Sequence, residues 1–401
     1  MIEPNLLEQP FDETDEVVTA IVSDPDLKSC IQCGTCGGVC PFGYLMDYPP
    51  IRVIAALRAD SFGQTFSSDS VWMCVACYSC TASCPAQIPL TDNLMSRLKE
   101  EFILQGKVPA ELQTALENSQ RYGNPLGEAS RKRADWVRKA DVPVPILGRG
   151  VSQTDVLWFV GDYASYHPAA QRASLALARL LNLLGVDFAI LGSEETSDGD
   201  SQRLAGEHGL FELFVEKNNR AFGKYQFNQI ITADPHAYNA LKNEYPLYGA
   251  SYPVQHASQF LYERLEQLAP HLKRSVQARV AFHDPCYLGR SNGVYEEPRA
   301  LLKAIPGVSL VELSHHHKTS LCCGGGGGGM WMDGFQWEKS HTRLSEWCVQ
   351  EAITAKAGVL AVACPYETPR FEDAIKTVSH TNGLVVKDVC ELLVDSLALE
   401  S

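Results

Sequence analysis

Eight of the chain's fourteen cysteines fall into two copies of one spacing. Cys30, Cys33, Cys36 and Cys40 read C-x2-C-x2-C-x3-C and are followed by Pro41; Cys74, Cys77, Cys80 and Cys84 repeat the run and are followed by Pro85. Three thiolates on one tight loop grip an iron–sulfur cubane, and where two such runs occur together the fourth cysteine of each reaches the other cluster. The expected assignment is therefore crossed. Cys30, Cys33, Cys36 and Cys84 take one [4Fe-4S] cluster, and Cys74, Cys77, Cys80 and Cys40 take the other. Clusters held this way carry electrons. Structural zinc sites also use CxxC pairs, but two complete runs, each closed by proline, favour the cubanes. A disulfide framework fits less well. Residues Met1 to Gln9 are acidic and lack the basic start and apolar core of a leader. Dense cysteine in an intracellular chain means metal or redox chemistry.

Length and charge narrow the class. At 401 residues the chain exceeds a single domain. It carries 34 basic and 48 acidic residues, a net charge of -14. That balance argues against a nucleic-acid partner, whose binding rests on phosphate neutralisation. No stretch approaches the roughly 20 apolar residues of a membrane span. The most apolar window, Ala173 to Leu191, contains Arg179 and Asp187 and reads as a helix followed by a strand. The expectation is a cytoplasmic chain that does not itself span a membrane and is at most peripheral to one through a partner.

These cysteines need elements to hold them. Residues 1–118 read as a mainly helical, two-[4Fe-4S] ferredoxin-like domain, with helices over Asp15 to Val22, Ile51 to Ala59 and Thr91 to Leu104 around the cysteine loops. Residues 119–150 are a connector punctuated by Asn124-Pro125, Gly127, Pro143, Pro145, Gly148 and Gly150. Its basic run, Arg131 to Arg133, reads as a solvated face that also has the charge to seat the acidic cluster domain. From Asp155 short apolar strands alternate with helices: Val156 to Val160, Pro168 to Leu184, Val186 to Leu191, Ile230 to Thr232. That alternation marks an α/β layer with a mostly parallel sheet. It restarts after residue 278 with Arg279 to Phe282, a helix from Pro298, Ser309 to Val311, a glycine loop, a helix near Ser345 to Ala355, and Val359 to Ala363. The fold class is thus α+β and multi-domain, the second part a pseudo-duplicated α/β domain with repeats at 151–277 and 278–401.

The repeats differ in their chemistry. The later one carries His283-Asp284-Pro285-Cys286, then Cys322-Cys323-Gly324, then Cys364-Pro365-Tyr366-Glu367. The earlier one has Gly161-Asp162, Ser197-Asp198-Gly199 and Asp234-Pro235-His236-Ala237 at matching places. A duplicated C…CCG…CPxC pattern behind a two-cluster module resembles heterodisulfide reductase, its B-type catalytic subunit fused behind its C-type cluster subunit. The glycolate oxidase iron–sulfur subunit shares the cysteine-rich repeat. The segment SLCCGGGGGGMW, Ser320 to Trp331, is the specific part of this resemblance.

The resemblance implies five cysteines per complete repeat, gripping a noncubane [4Fe-4S] cluster. Here the second repeat offers Cys286, Cys322, Cys323 and Cys364, with Glu367 in the fifth place. The first offers Asp162, Ser197, Asp198, Asp234 and Ala237, and so no thiolate. Clusters need soft ligands, so the first site is expected to hold none; its acids would hydrogen-bond or bind a hard cation. The third cluster can be cubane, or noncubane with Glu367 as an oxygen ligand. Gly324, Gly325 and Gly326, within the run to Gly329, are expected to let backbone N–H groups approach that cluster. Cys348 and Cys390 read as small buried apolar side chains. His315, His316 and His317 read as a polar turn with the capacity to move protons or ligate metal. His283 reads as a neighbour of the ligands, and His236 as structural.

Two functions follow. The first is an iron–sulfur electron-transfer subunit of a larger oxidoreductase, linking two ferredoxin-type cubanes to the third cluster. Its partners would be other redox subunits: a flavoprotein, a dehydrogenase or a quinone-linked membrane subunit. No G-x-G-x-x-G sits between a strand and a helix, so hydride chemistry must come from elsewhere. The alternative is a heterodisulfide or other disulfide reductase acting on a small thiol substrate at the third cluster.

Overall fold

A computed structural model describes residues 16–59, 69–378 and 383–398. The opening segment 1–9, read above for a leader signature, lies outside them. The chain forms two compact units, neither contiguous in sequence. One gathers Met1–Leu116, Ser201–Leu210 and Gly324–Leu344; the other gathers Glu117–Asp200, Phe211–Cys323 and Ser345–Ser401. The linear division at residues 118, 150 and 277 therefore misses two excursions, one from each repeat, that pack with the cysteine loops.

The first unit is helical. Helices Glu16–Ser23, Pro50–Arg58 and Arg97–Leu104 surround the loops, and a π-helical turn, Leu90–Ser96, leads into the last of them. Ile21, Val53, Leu57, Trp72, Leu94, Leu98, Phe102 and Leu112 close its core. Ala205 and Met332, from the two excursions, are buried in the same core.

The second unit holds two four-stranded parallel sheets. Strands β1 (Val156–Trp158), β2 (Phe188–Ile190), β3 (Gln229–Thr232) and β4 (Val254–His256) run in the order β2-β1-β3-β4. Strands β5 (Ala278–Phe282), β6 (Val308–Val311), β7 (Val359–Val362) and β8 (Val385–Asp388) run β6-β5-β7-β8, the same order one repeat later. Helices on both faces bury parallel strands, so the central ones read as unbroken apolar runs: Val-Leu-Trp in β1 and Val-Leu-Ala-Val in β7 are wholly buried. The edge strands β4 and β8 escape that pattern because each is only partly buried. One apolar core runs through both repeats, from Trp158 and Leu177 to Phe282, Leu302 and Leu393. Among the described residues no helix is long and apolar enough to cross a membrane.

Candidate iron–sulfur centres

In the first unit the crossed cysteine sets come together in two cavities. Cys30, Cys33, Cys36 and Cys84 line one, walled by Ile31, Ile54, Ile88 and Leu90. Cys40, Cys74, Cys77 and Cys80 line the other, walled by Phe42, Met46, Met73 and Met95. The loops turn tightly through left-handed residues, Gln32 and Gly34 in the first run and Ala76 and Tyr78 in the second. Non-glycine residues rarely hold this conformation, and here it turns the chain between successive cysteines. The Gln32 N–H donates to Cys30 Sγ at 3.4 Å. The first set reaches the surface: Cys33 is exposed, and the Thr35 hydroxyl beside it lowers its thiol pKa. Around Cys40 and Cys80 burial pushes the thiols up. These thiol-lined, apolar-walled cavities fit cubane clusters.

A lysine that sequence reasoning overlooked stands beside the second set. Lys99 is fully buried and donates from Nζ to Cys74 O at 2.6 Å and to Gly327 O at 2.7 Å. Burial, opposed by the Cys74 thiolate, lowers its pKa to about 8. Its signal was present: Met95, Leu98 and Phe102 line a helical face that Lys99 shares. The glycine run is the other half of this contact. Gly327 has φ +56, and a Cβ there would stand 2.9 to 3.1 Å from Lys99 Nζ, Ala76 Cβ and Cys74 O. The carbonyls of Gly325 and Gly326 accept from Met330 and Gly329 N–H groups. Gly327 and Gly329 thus pack on the Cys74–Cys77 loop through tight turns of the run.

In the second unit Cys286, Cys322, Cys323 and Cys364 are all buried. Each follows a strand of the β6-β5-β7 core, at the carboxyl ends where open parallel sheets place their sites. A hydrogen bond with Cys322 lowers the Cys286 pKa, and burial raises that of Cys364. Glu367 opens the helix Glu367–Val378 and is buried. Its Oε1 lies 2.9 Å from His283 Nδ1, and its Oε2 has no hydrogen-bond partner among the described residues. Burial, opposed by His283, brings its pKa up to about 7. His283 Nε2 in turn lies 3.0 Å from Leu321 O. A lone buried carboxylate oxygen among four buried thiols fits a cluster with one oxygen ligand. Cys348 is buried, as its type suggested, but its Sγ donates to Cys322 O at 3.5 Å, so it borders this site.

The first repeat is closed by a side chain from the connector. Arg133 does not sit on a solvated face: its side chain is 2% exposed, with Nη2 2.5 Å from Asp162 Oδ1 and Nη1 2.8 Å from Glu195 Oε1. Glu195 also accepts from the N–H groups of Val160 and Gly161, each at 2.9 Å. Asp198 and Asp234 lie in the same pocket. Burial, then the charge of Asp234, pushes Asp198 up strongly, and burial brings Asp234 to about 6. Asp234 caps the helix Pro235–Asn239. The buried oxygens Asp162 Oδ2 and Asp234 Oδ2 have no hydrogen-bond partner among the described residues. Ser197 Oγ accepts from Gly199 N–H, and Ala237 is fully buried. His236 Nδ1 lies 2.8 Å from Asp200 Oδ2, and its ring stands 4.3 Å from that of Tyr287 and 5.4 Å from that of Tyr366, both in the second repeat. Glu195, two residues before Ser197, was the sequence clue that this pocket needs a cation.

These features define a class: iron–sulfur proteins that join a two-cluster domain to paired cysteine-rich repeats. The model of the 4Fe-4S dicluster domain matches residues 26–88, and that of the Cysteine-rich domain matches twice, at 156–242 and 280–366. The chain carries a 4Fe-4S dicluster domain followed by two cysteine-rich domains, and it is similar to heterodisulfide reductase-like iron–sulfur oxidoreductases. It is 34% identical to the probable iron-sulfur-binding oxidoreductase FadF of Bacillus subtilis, over 88% of this chain and 49% of the relative. It is 29% identical to the EtfAB:quinone oxidoreductase of Syntrophomonas wolfei, over 92% of this chain and 58% of the relative. A subunit of the dihydromethanophenazine:CoB–CoM heterodisulfide reductase of Methanosarcina mazei is 28% identical over 94% of this chain and 95% of its own length. The chain thus spans about half the length of the first two relatives.

Proposed function

We propose that this chain is the iron–sulfur electron-transfer part of a larger oxidoreductase. Two cubanes and one further [4Fe-4S] cluster would supply single-electron transfer when bound. Cys30, Cys33, Cys36 and Cys84 hold one cubane, and Cys40, Cys74, Cys77 and Cys80 the other. Cys286, Cys322, Cys323 and Cys364 hold the third cluster, with Glu367 as its oxygen ligand. Gly327 packs against the Cys74–Cys77 loop beside the second cubane. The partners are redox proteins that supply what this chain lacks: a flavoprotein, a dehydrogenase or a quinone-linked membrane subunit. The names of the relatives, an EtfAB:quinone oxidoreductase and a heterodisulfide reductase subunit, support such an assembly. The chain acts in the cytoplasm and can meet a membrane through a partner.

One observation carries this reading above disulfide reduction. The pocket of the first repeat holds a guanidinium locked between Asp162 and Glu195, which leaves one thiol-lined site in the paired repeats. A substrate disulfide gripped between two clusters would need both. The test is iron content and EPR on anaerobically purified protein. About 12 irons per chain, with a third signal apart from the coupled cubanes, is the expected result; about 8 irons with cubane signals alone would refute it.

A further inference from the structure

The span between β6 and the Cys322-Cys323 pair carries a second constellation of metal-binding type. Glu312 follows β6 directly, and His316 and His317 stand four and five residues on. One ligand atom from each of the three lies within 4.8 Å of the other two. The two imidazoles converge: His316 Nδ1 is 2.6 Å from His317 Nδ1. His317 Nε2 lies 3.0 Å from Glu296 Oε1. A carboxylate there takes the Nε2–H, which leaves Nδ1 as the unprotonated, lone-pair nitrogen. This is the arrangement in which a carboxylate behind a histidine fixes the tautomer for a metal in front of it. Two ring nitrogens this close share a proton or a metal ion.

The backbone is held in place for this. His317 has φ +54, an uncommon conformation for histidine. Its N–H donates to Asp284 Oδ2 at 2.7 Å. Arg299 binds both oxygens of Glu312, each at 2.8 Å, and both of Asp284. An ionised carboxylate has about four acceptor sites, so Glu312 keeps lone pairs after the arginine is served. Both histidines are partly buried, so a bound ion would keep access to water.

We propose that Glu312, His316 and His317 form a site for one borderline divalent cation of the zinc class. Two imidazoles and a carboxylate with an open fourth position are an established zinc donor set. The site contains no thiolate and shares no ligand with the iron–sulfur sets named above. Bound there, the ion ties the segment from Glu312 to Ser320, which leads into Cys322 and Cys323, to the Asp284–Arg299 pair.

The test is equilibrium dialysis of the cluster-loaded, full-length protein against Zn2+ under anaerobic conditions, with zinc and iron both counted. One zinc per chain is expected, with the iron unchanged. H316A and H317A should each weaken that binding by about 100-fold or more, and E296Q by roughly 10- to 100-fold, the usual effect of removing such a supporting carboxylate. Glu296 is exposed on the surface, so E296Q keeps the test open if a histidine variant misfolds. Zinc retained in full by H316A, H317A and E296Q would overturn the proposal. So would zinc uptake matched by iron loss, since the zinc would then sit on cysteines.

Discussion

Replacing Arg133 by methionine tests how the first repeat lives without a cluster. The guanidinium is buried between Asp162 and Glu195, whose side chains are 0% and 1% exposed. Methionine keeps most of the volume and removes the charge. The two carboxylates then stand in a pocket that already holds Asp198 and Asp234. Removing one partner of a buried pair costs about 3–5 kcal/mol, because the remaining charge is left uncompensated. In a unit of this size that lowers the melting temperature by roughly 6–20 °C. The control is the same substitution with Asp162→Asn and Glu195→Gln, which removes the stranded charge and should recover most of the loss. Thermal melts of the loaded protein, read by circular dichroism with the cubane EPR signals as a reference for the first unit, measure both. A loss under about 1 kcal/mol in R133M would show that the guanidinium is not the counter-charge of this pocket. A neutralised triple variant no more stable than R133M would show the same.

Three more outcomes are expected. Lys99→Met removes a buried cation beside Cys74, and net charge near a cluster sets its potential; the Cys40/Cys74/Cys77/Cys80 cluster should become harder to reduce while the other cubane holds its potential in an EPR redox titration. Equal shifts in both, or none, would sink this assignment. His256 caps the helix Ala257–Tyr262 as a neutral ring, and burial lowers its pKa to about 4. The unfolded chain therefore binds this proton first: stability is full above about pH 6.5 and falls by roughly 3 kcal/mol as the pH drops to about 4. His256→Asn should flatten that slope in urea melts, and an unchanged slope would place the acid sensitivity elsewhere. Cys286→Ala or Cys323→Ala should cut iron from about 12 to about 8 per chain and leave the cubane signals; loss of those signals as well would contradict independent holding of the third cluster.

The cysteine runs were legible because their ligands are local: three of each four sit on one loop, and the spacing itself encodes the bite of the cluster. The central strands were legible because burial on both faces leaves unbroken apolar runs. What escaped the sequence depends on distant pairing. Arg133 lies in a run with Arg131 and Lys132, which are exposed, and nothing in that run tells which cation turns inward. The answer sits 62 residues away at Glu195. Lys99 and Gly327 meet across 228 residues. The same logic explains how the repeats could part. A pocket that loses its thiolates but keeps a buried site must satisfy polar groups by other means. Acids in place of cysteines demand a cation, and one arginine from the connector supplies it without any ligand from solution. The repeat then keeps its sheet, its helices and its half of the shared core, while the buried thiols stand in the other half.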